Sequence, residues 1–355
     1  MLVAGGRRLS LATVVVCSVL AVPGIGHAAP AADDTTLTGV PSAYIAGVGD
    51  RVLVRGKVTA DDDRPVQLQT LVGRTWRAVD SDSTTGSFAL RVPTSTTGVD
   101  TYRLYAPASG SREAATTTSF KVAIGEGDAR AHAFLTSPPV RWNPCRTVRY
   151  RVNTQGAPEG ALGDAKQAVA MTAAASGLKF TFMGTTKVVP GAKKTNDLDS
   201  SYPDDTDLVI AWSKPADTQW LKSRSSVLGV GGVYYDLTPQ KVGKSSWFQA
   251  VQGYVVLNST KSLPGGFGSG REVGELGTWG QVLLHEVGHT VGLDHPDLPD
   301  KAQIMYPETT YKDAAWGRGD LTALRKVGAV SGCFATPKGA TAAGPVNAMR
   351  VSVGR

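Results

Sequence analysis

The chain has 355 residues, 41% hydrophobic and 19% charged, with a formal net charge of +7. Such a length suits about two globular domains, and the composition excludes a disordered chain. The excess charge is spread out: Arg7 and Arg8 stand near the start, residues 30–124 balance ten acids with ten bases, and Lys338, Arg350 and Arg355 lie beyond Ala335. No dense Lys/Arg run is left to grip phosphates, so nucleic acid is not an expected partner.

The N-terminus runs from Arg7-Arg8 through an apolar stretch, Leu9 to Val22, to a small-residue segment ending Ala28-Ala29. This is the layout of a secretory signal peptide over residues 1–29. The apolar stretch falls short of the roughly 20 residues that span a bilayer, so no transmembrane segment is expected after cleavage. Export to the extracellular space follows, by the general or the twin-arginine route. Cys17 leaves with the signal, and Val16 before it is not the small residue a lipoprotein signal requires. Cys145 and Cys333 remain, an even pair that in an exported chain suggests a disulfide enclosing nearly the whole second domain.

Residues 36–124 alternate apolar and polar side chains in short runs: 52–58, 66–71, 76–79, 87–92, 102–105 and 120–124. Turn chemistry separates them at Asp61-Asp62-Asp63, Val72-Gly73-Arg74 and Thr84-Thr85-Gly86. Period-two runs without a helical segment predict an all-β sandwich. The stretch Val66-Gln67-Leu68-Gln69 through Gly73-Arg74-Thr75-Trp76 resembles the immunoglobulin-like modules of bacterial surface and secreted proteins. No residue here stands out as catalytic; contact with a cell surface or a glycan is one role the resemblance allows. Residues 125–140 read as a linker in which His132 is solvated.

The texture changes over residues 141–335. Strands are expected at 147–152, 178–182, 207–212, 229–235 and 253–257. Helices are expected at 158–176, closed by Gly177, and at 276–291 and 320–327. This is an α/β domain, so the chain as a whole is multi-domain. Residues 336–355 are rich in Ala, Gly and Thr and are expected to form a mobile tail.

The chemistry concentrates in His285-Glu286-Val287-Gly288-His289-Thr290-Val291-Gly292-Leu293-Asp294-His295. On a helix, His285 and His289 project from one face and can ligate one ion. Gly292 stands where the helix must stop and a positive φ is easiest, so the turn can return His295 as a third ligand. Three imidazoles on zinc leave the fourth tetrahedral position for water, the catalytic rather than the structural arrangement. Glu286, beside the first ligand, suits a general base toward that water and then an acid toward the departing amine. Four of the five histidines lie beyond the signal segment, and three of those four stand at ligand spacing here.

Beyond His295 comes Ile304-Met305-Tyr306-Pro307, with Met305 ten residues on. Together with the His285–His295 segment it resembles the metzincin zinc metalloproteases, closest to the matrixin branch. The resemblance implies a zincin-type α/β catalytic domain, a secreted zinc endopeptidase acting on proteins or peptides, and Met305 as the Met-turn beneath the ligands. It implies that Tyr306 and Pro307 line the pocket for the residue after the cut bond. It also implies that Gly231 and Gly232 lie on the edge strand that pairs with an extended substrate. The zymogen cysteine segment of animal matrixins is missing; Asn143-Pro144-Cys145-Arg146 matches it poorly. Calcium is known in that family, and Asp204, Asp205 and Asp207 are candidates, although an acidic surface loop explains them as well. Two other readings stay open: a surface-binding protein whose zinc domain is secondary, and a zinc hydrolase for another amide bond such as a cell-wall peptide crosslink.

Overall fold

The computed structural model describes residues 35–192, 198–221, 226–274 and 277–335, and the backbone of 348–353. The expected signal peptide, residues 1–29, lies outside the described residues. No helix among those described is long and apolar enough to cross a membrane.

The N-terminal half contains β1 (Leu37–Pro41), β2 (Ile45–Gly47), β3 (Leu53–Val58), β4 (Arg64–Val72) and β5 (Thr75–Thr84). It continues with β6 (Ser87–Arg91), β7 (Gly98–Ala106), β8 (Ala115–Thr116) and β9 (Phe120–Gly125). One sheet has the order β1-β3-β6; the other runs β2-β9-β7-β4-β5, with β8 paired to β7. Alternation puts Val54, Val66, Leu68, Leu90 and Leu104 inward at 1% exposure or less, in one core shared by both sheets. The period-two signal in the sequence marks β3 to β7 and β9. The elements β1, β2 and β8 are short or contain glycine and carry no such signal.

The second half contains β10 (Ala133–Phe134), β11 (Val140–Arg141), β12 (Thr147–Asn153), α1 (Ala161–Ser176), β13 (Lys179–Thr185) and β14 (Leu208–Ser213). Then come β15 (Gly229–Asp236), β16 (Gln240–Val242), β17 (Ser245–Asn258), α2 (Trp279–Thr290), β18 (Leu293–Asp294), α3 (Arg318–Val327) and β19 (Ala348–Val353). The main sheet has the order β13-β12-β14-β17-β15-β19. Its first four strands are parallel, β15 runs antiparallel to β17, and β19 at the far edge runs antiparallel to β15. All three helices contribute to one large core with Trp212, Leu257, Leu283, Val287 and Leu324. Cys145 and Cys333 form a disulfide with Cα atoms 5.6 Å apart and a sequence separation of 188. In the chain-entropy view such a closure stabilises the fold by about 5 kcal/mol.

Two expectations need correction. Residues 125–140 are not a free linker: β10 pairs with β18, and β11 pairs with β17. His132 is half-buried, with Nδ1 2.9 Å from the Ala129 carbonyl and Nε2 3.0 Å from Lys326 Nζ. Burial beside a cation lowers its pKa. The N-terminal half is therefore docked: Arg318 pairs with Asp50 at 3.2 Å, its N–H donates to the Glu126 carbonyl, and Arg325 stacks over Tyr44. Part of the expected tail is also ordered, because residues 348–353 form β19 on the outer edge of β15. The run Val351-Ser352-Val353 has strand-forming chemistry, and an open edge offers unpaired backbone groups to it.

Candidate metal centre

Helix α2 begins later than the expected residue 276 because Thr278 caps it, its hydroxyl accepting the Gln281 N–H. It ends at Thr290, and Gly292 takes φ +103°. A Cβ at Gly292 would lie 2.1 Å from the Val140 carbonyl oxygen, so the turn demands glycine on both conformational and steric grounds. That turn leads through β18 to His295.

Helical spacing and the turn bring three Nε2 atoms together. His285 Nε2 lies 3.1 Å from His289 Nε2 and 3.1 Å from His295 Nε2. Three nitrogens on one tetrahedral zinc, at about 2.0–2.1 Å each, stand about 3.3 Å apart, so the spacing fits that ion. Tautomers fit too. His285 Nδ1 lies 2.7 Å from the Ile304 carbonyl and His289 Nδ1 2.8 Å from the Leu293 carbonyl. Donation from Nδ1 leaves each Nε2 lone pair aimed at the shared point. Burial pushes His285 down to about 4 and His289 well below its ordinary value, with the neighbouring imidazoles adding to the shift. Both are therefore neutral, as a ligand must be. Among the described residues, these three histidines are the only cluster of metal-ligating side chains. Asp205 and Asp207, two of the calcium candidates, are instead ion-paired with Arg151 and Arg149 at 2.9 and 2.8 Å.

Glu286 is 5% exposed. Burial raises its pKa well above the usual carboxyl range, opposed by a hydrogen bond from the Gly231 N–H. Its Oε2 has no hydrogen-bond partner among the described residues. Two glycines of β15 make room for the helix: a Cβ at Gly231 would meet the Glu286 carbonyl oxygen at 2.2 Å, and one at Gly229 would meet Glu286 Oε1 at 2.9 Å. Gly231 thus has a packing reason to be glycine. Gly232 sits in register between Tyr254 of β17 and Ser352 of β19.

Met305 is 1% exposed beneath α2, and a Cβ on Gly288 would lie 2.4 Å from its sulfur. The Met305 turn is held by Asp320 of α3, which accepts the N–H groups of Ile304 (2.6 Å), Gly317 (3.0 Å) and Met305 (3.4 Å). Burial nonetheless raises the Asp320 carboxyl to about 7. A cavity of about 380 Å³ opens beside His285, Glu286 and His295. Tyr306 and Pro307 line it, together with Leu228, Gly229, Gln281 and Val282. Gln281 lies deep, tied to Thr310 by hydrogen bonds of 3.0 and 3.2 Å.

Sequence reasoning did not single out Gly229, Gln281, Gln303 or Asp320. Gln281 had a usable signal, since it lies four residues before His285 on the same helical face. The role of Asp320 depends on a contact 15 residues away in sequence and leaves no local pattern. Comparison with protein-family models and with curated proteins found no match to this chain.

Proposed function

We propose that the chain is an exported, zinc-dependent endopeptidase of the metzincin type, matrixin-like, whose immunoglobulin-like N-terminal domain precedes a zincin-type catalytic domain. One observation carries the reading: three imidazoles converge at tetrahedral spacing beside a buried carboxyl group whose Oε2 meets no partner among the described residues. His285, His289 and His295 would hold the ion. Bound zinc supplies a Lewis acid that acidifies water and polarises a carbonyl.

The chain's own groups do the rest. Glu286 accepts the proton of the attacking water on Oε2 and passes it to the departing amine nitrogen. The Gly231 N–H, donating to the carboxylate, fixes its orientation and favours the charged form between turnovers. The apolar wall of Leu228, Val282 and Pro307 accepts a side chain and excludes water from the cut bond. The outer edge of β15, where β19 pairs in this structure, would align an extended peptide by main-chain pairing once β19 leaves it.

The test is cleavage of an unstructured protein such as casein by the full chain with its cysteines oxidised. Activity should stop with a zinc chelator and return with zinc, and Glu286→Ala should bind zinc yet stay inactive. A folded, zinc-loaded wild type that cuts no peptide bond refutes the reading.

A further inference from the structure

Each of two ligand rings is aimed by a backbone carbonyl, of Leu293 for His289 and of Ile304 for His285. Both carbonyls belong to short segments outside the main sheet, Leu293 in β18 and Ile304 in the Met305 turn. The stretch that joins the two halves of the chain holds the first, and it joins Asp320 in holding the second.

The first attachment is β10. Ala133 pairs with Asp294 and Phe134 with Leu293, and the Leu135 N–H donates to the Gly292 carbonyl at 3.1 Å. The residues on either side of the Leu293 carbonyl, and the one just before His295, are thereby fixed to the connecting stretch. Without this pairing, β18 would be two residues with no sheet partner.

A second attachment lies under the Met305 turn. Gln303 is 3% exposed and sits just before Ile304. Its Oε1 accepts the N–H groups of Gly319 (2.8 Å) and Asp320 (3.1 Å). Its Nε2 donates to Asp300 Oδ2 at 2.8 Å and points to the Glu126 carbonyl at 3.4 Å. The same Asp300 oxygen accepts the Asp128 N–H at 2.8 Å. Glu126 also accepts the Arg318 N–H at 2.7 Å and pairs with Lys312. Gly127 fits between these groups at φ +84°; a Cβ there would lie 2.3 Å from Asp300 Oδ2 and 2.4 Å from Gln303 Nε2. The connecting stretch is in turn anchored at its N-terminal end by the docked β-domain, through Asp50 and Arg318.

We infer that residues 126–135 are a positioning element of the metal centre: they hold the two carbonyls that orient His285 and His289, and so couple docking of the N-terminal domain to metal affinity. Gln303 and Asp300 are the positioning residues that transmit this on one side, and β10 does so on the other. The inference rests on the proposed zinc site. It assigns the N-terminal domain a part in building the catalytic centre, beyond service as a spacer. Outer groups that orient ligating histidines are commonly worth about 10–100-fold in metal affinity, which sets the expected size of the effect.

The test compares the full chain with Gly127→Ala, which wedges the stretch away from Asp300 and Gln303, and with Asp300→Ala, which removes the shared acceptor with less strain. Gly86→Ala serves as control, since nothing lies within 4 Å of its added carbon. Zinc affinity is read by competition with a chromophoric chelator, and site geometry by the visible absorption of the cobalt-substituted protein. Amide hydrogen exchange is followed over 292–295 and 303–306 in metal-free protein. Zinc affinity should fall by about 10–100-fold in both variants, with an altered cobalt spectrum and faster exchange in those two segments. Asp300→Asn, which keeps one acceptor oxygen, should recover part of the loss. Unchanged affinity, spectrum and local exchange in Asp300→Ala, with only a lower melting temperature, would overturn the inference. A wild type that takes up no zinc would sink the metallopeptidase reading instead, and the exchange comparison would still judge the positioning role. If Gly127→Ala fails to fold, Asp300→Ala and its Asn counterpart decide alone.

Discussion

Replacing Gly231 by alanine tests the closest approach in the site. The added carbon would sit 2.2 Å from the Glu286 carbonyl oxygen and 2.9 Å from both its carbonyl carbon and its Cα. Every one of these is backbone, so no side-chain rotation relieves the clash. Helix α2 must back away from β15, or the strand must bow outward. Overpacking of this kind costs about 1–3 kcal/mol of stability. The functional effect should be larger than the thermodynamic one. A shift near 1 Å in a catalytic group lowers rate by about 100-fold, and the hydrogen bond from the Gly231 N–H to Glu286 goes with it. The assay is kcat/KM on an unstructured peptide, alongside zinc content and urea unfolding. Gly163→Ala, on an open face of α1 with no neighbour within 4 Å, is the matched control. A Gly231→Ala variant that keeps wild-type kcat/KM and stability would refute the claim that α2 and β15 meet backbone to backbone.

Other predictions concern the supports of the site. Because burial raises Asp320 to about 7, the unfolded chain loses this proton near pH 4 while the fold retains it, so rising pH destabilises the fold across that window. Asp320→Asn removes the titration, and wild type should lose roughly 4 kcal/mol more than the variant between pH 4 and pH 8, read from urea midpoints. Asp320→Ala should cost about 3 kcal/mol by orphaning the N–H groups of Ile304, Gly317 and Met305, and should release the Met305 turn. His132 has the opposite sign: its lowered pKa means stability is lost as pH falls below about 6.5, and His132→Gln should flatten that limb of the profile. Deleting residues 337–355 exposes the edge of β15 that β19 occupies, so KM for a long peptide should fall while kcat holds; an unchanged KM would show that β19 does not compete with substrate.

The legible parts of this protein were those encoded by near neighbours in sequence. His285, Glu286 and His289 share one helical turn, and Gly292 and His295 follow within a single loop, so ligand spacing could be read directly. The positive φ of Gly292 and the Cys145–Cys333 pairing followed from equally local or counting arguments. The connecting stretch could not be read this way. Ala133 and Phe134 find their partners at Asp294 and Leu293, and a two-residue strand has no periodicity to detect. The same holds for Gln303 and Asp320, whose polar side chains look like surface residues until the backbone groups they satisfy are seen. Residues 348–353 went unrecognised for another reason. A small-residue composition speaks of mobility, while the deciding fact is an open strand edge supplied by β15.

Under the proposed peptidase function the chain meets its own activity, and the Cys145–Cys333 bridge bears on how it would age. The bridge turns nearly the whole second half of the chain into a covalent ring, because its two ends lie 188 positions apart in sequence. One cut anywhere in that ring opens it without releasing a fragment. The two pieces stay tethered, and the contacts among α2, β18 and the Met305 turn can persist across the break. A preparation exposed to its own activity should therefore run as a single band on a non-reducing gel and fall apart only after reduction. Apparent integrity would then report the redox state of one bond as much as the number of cuts the backbone has taken.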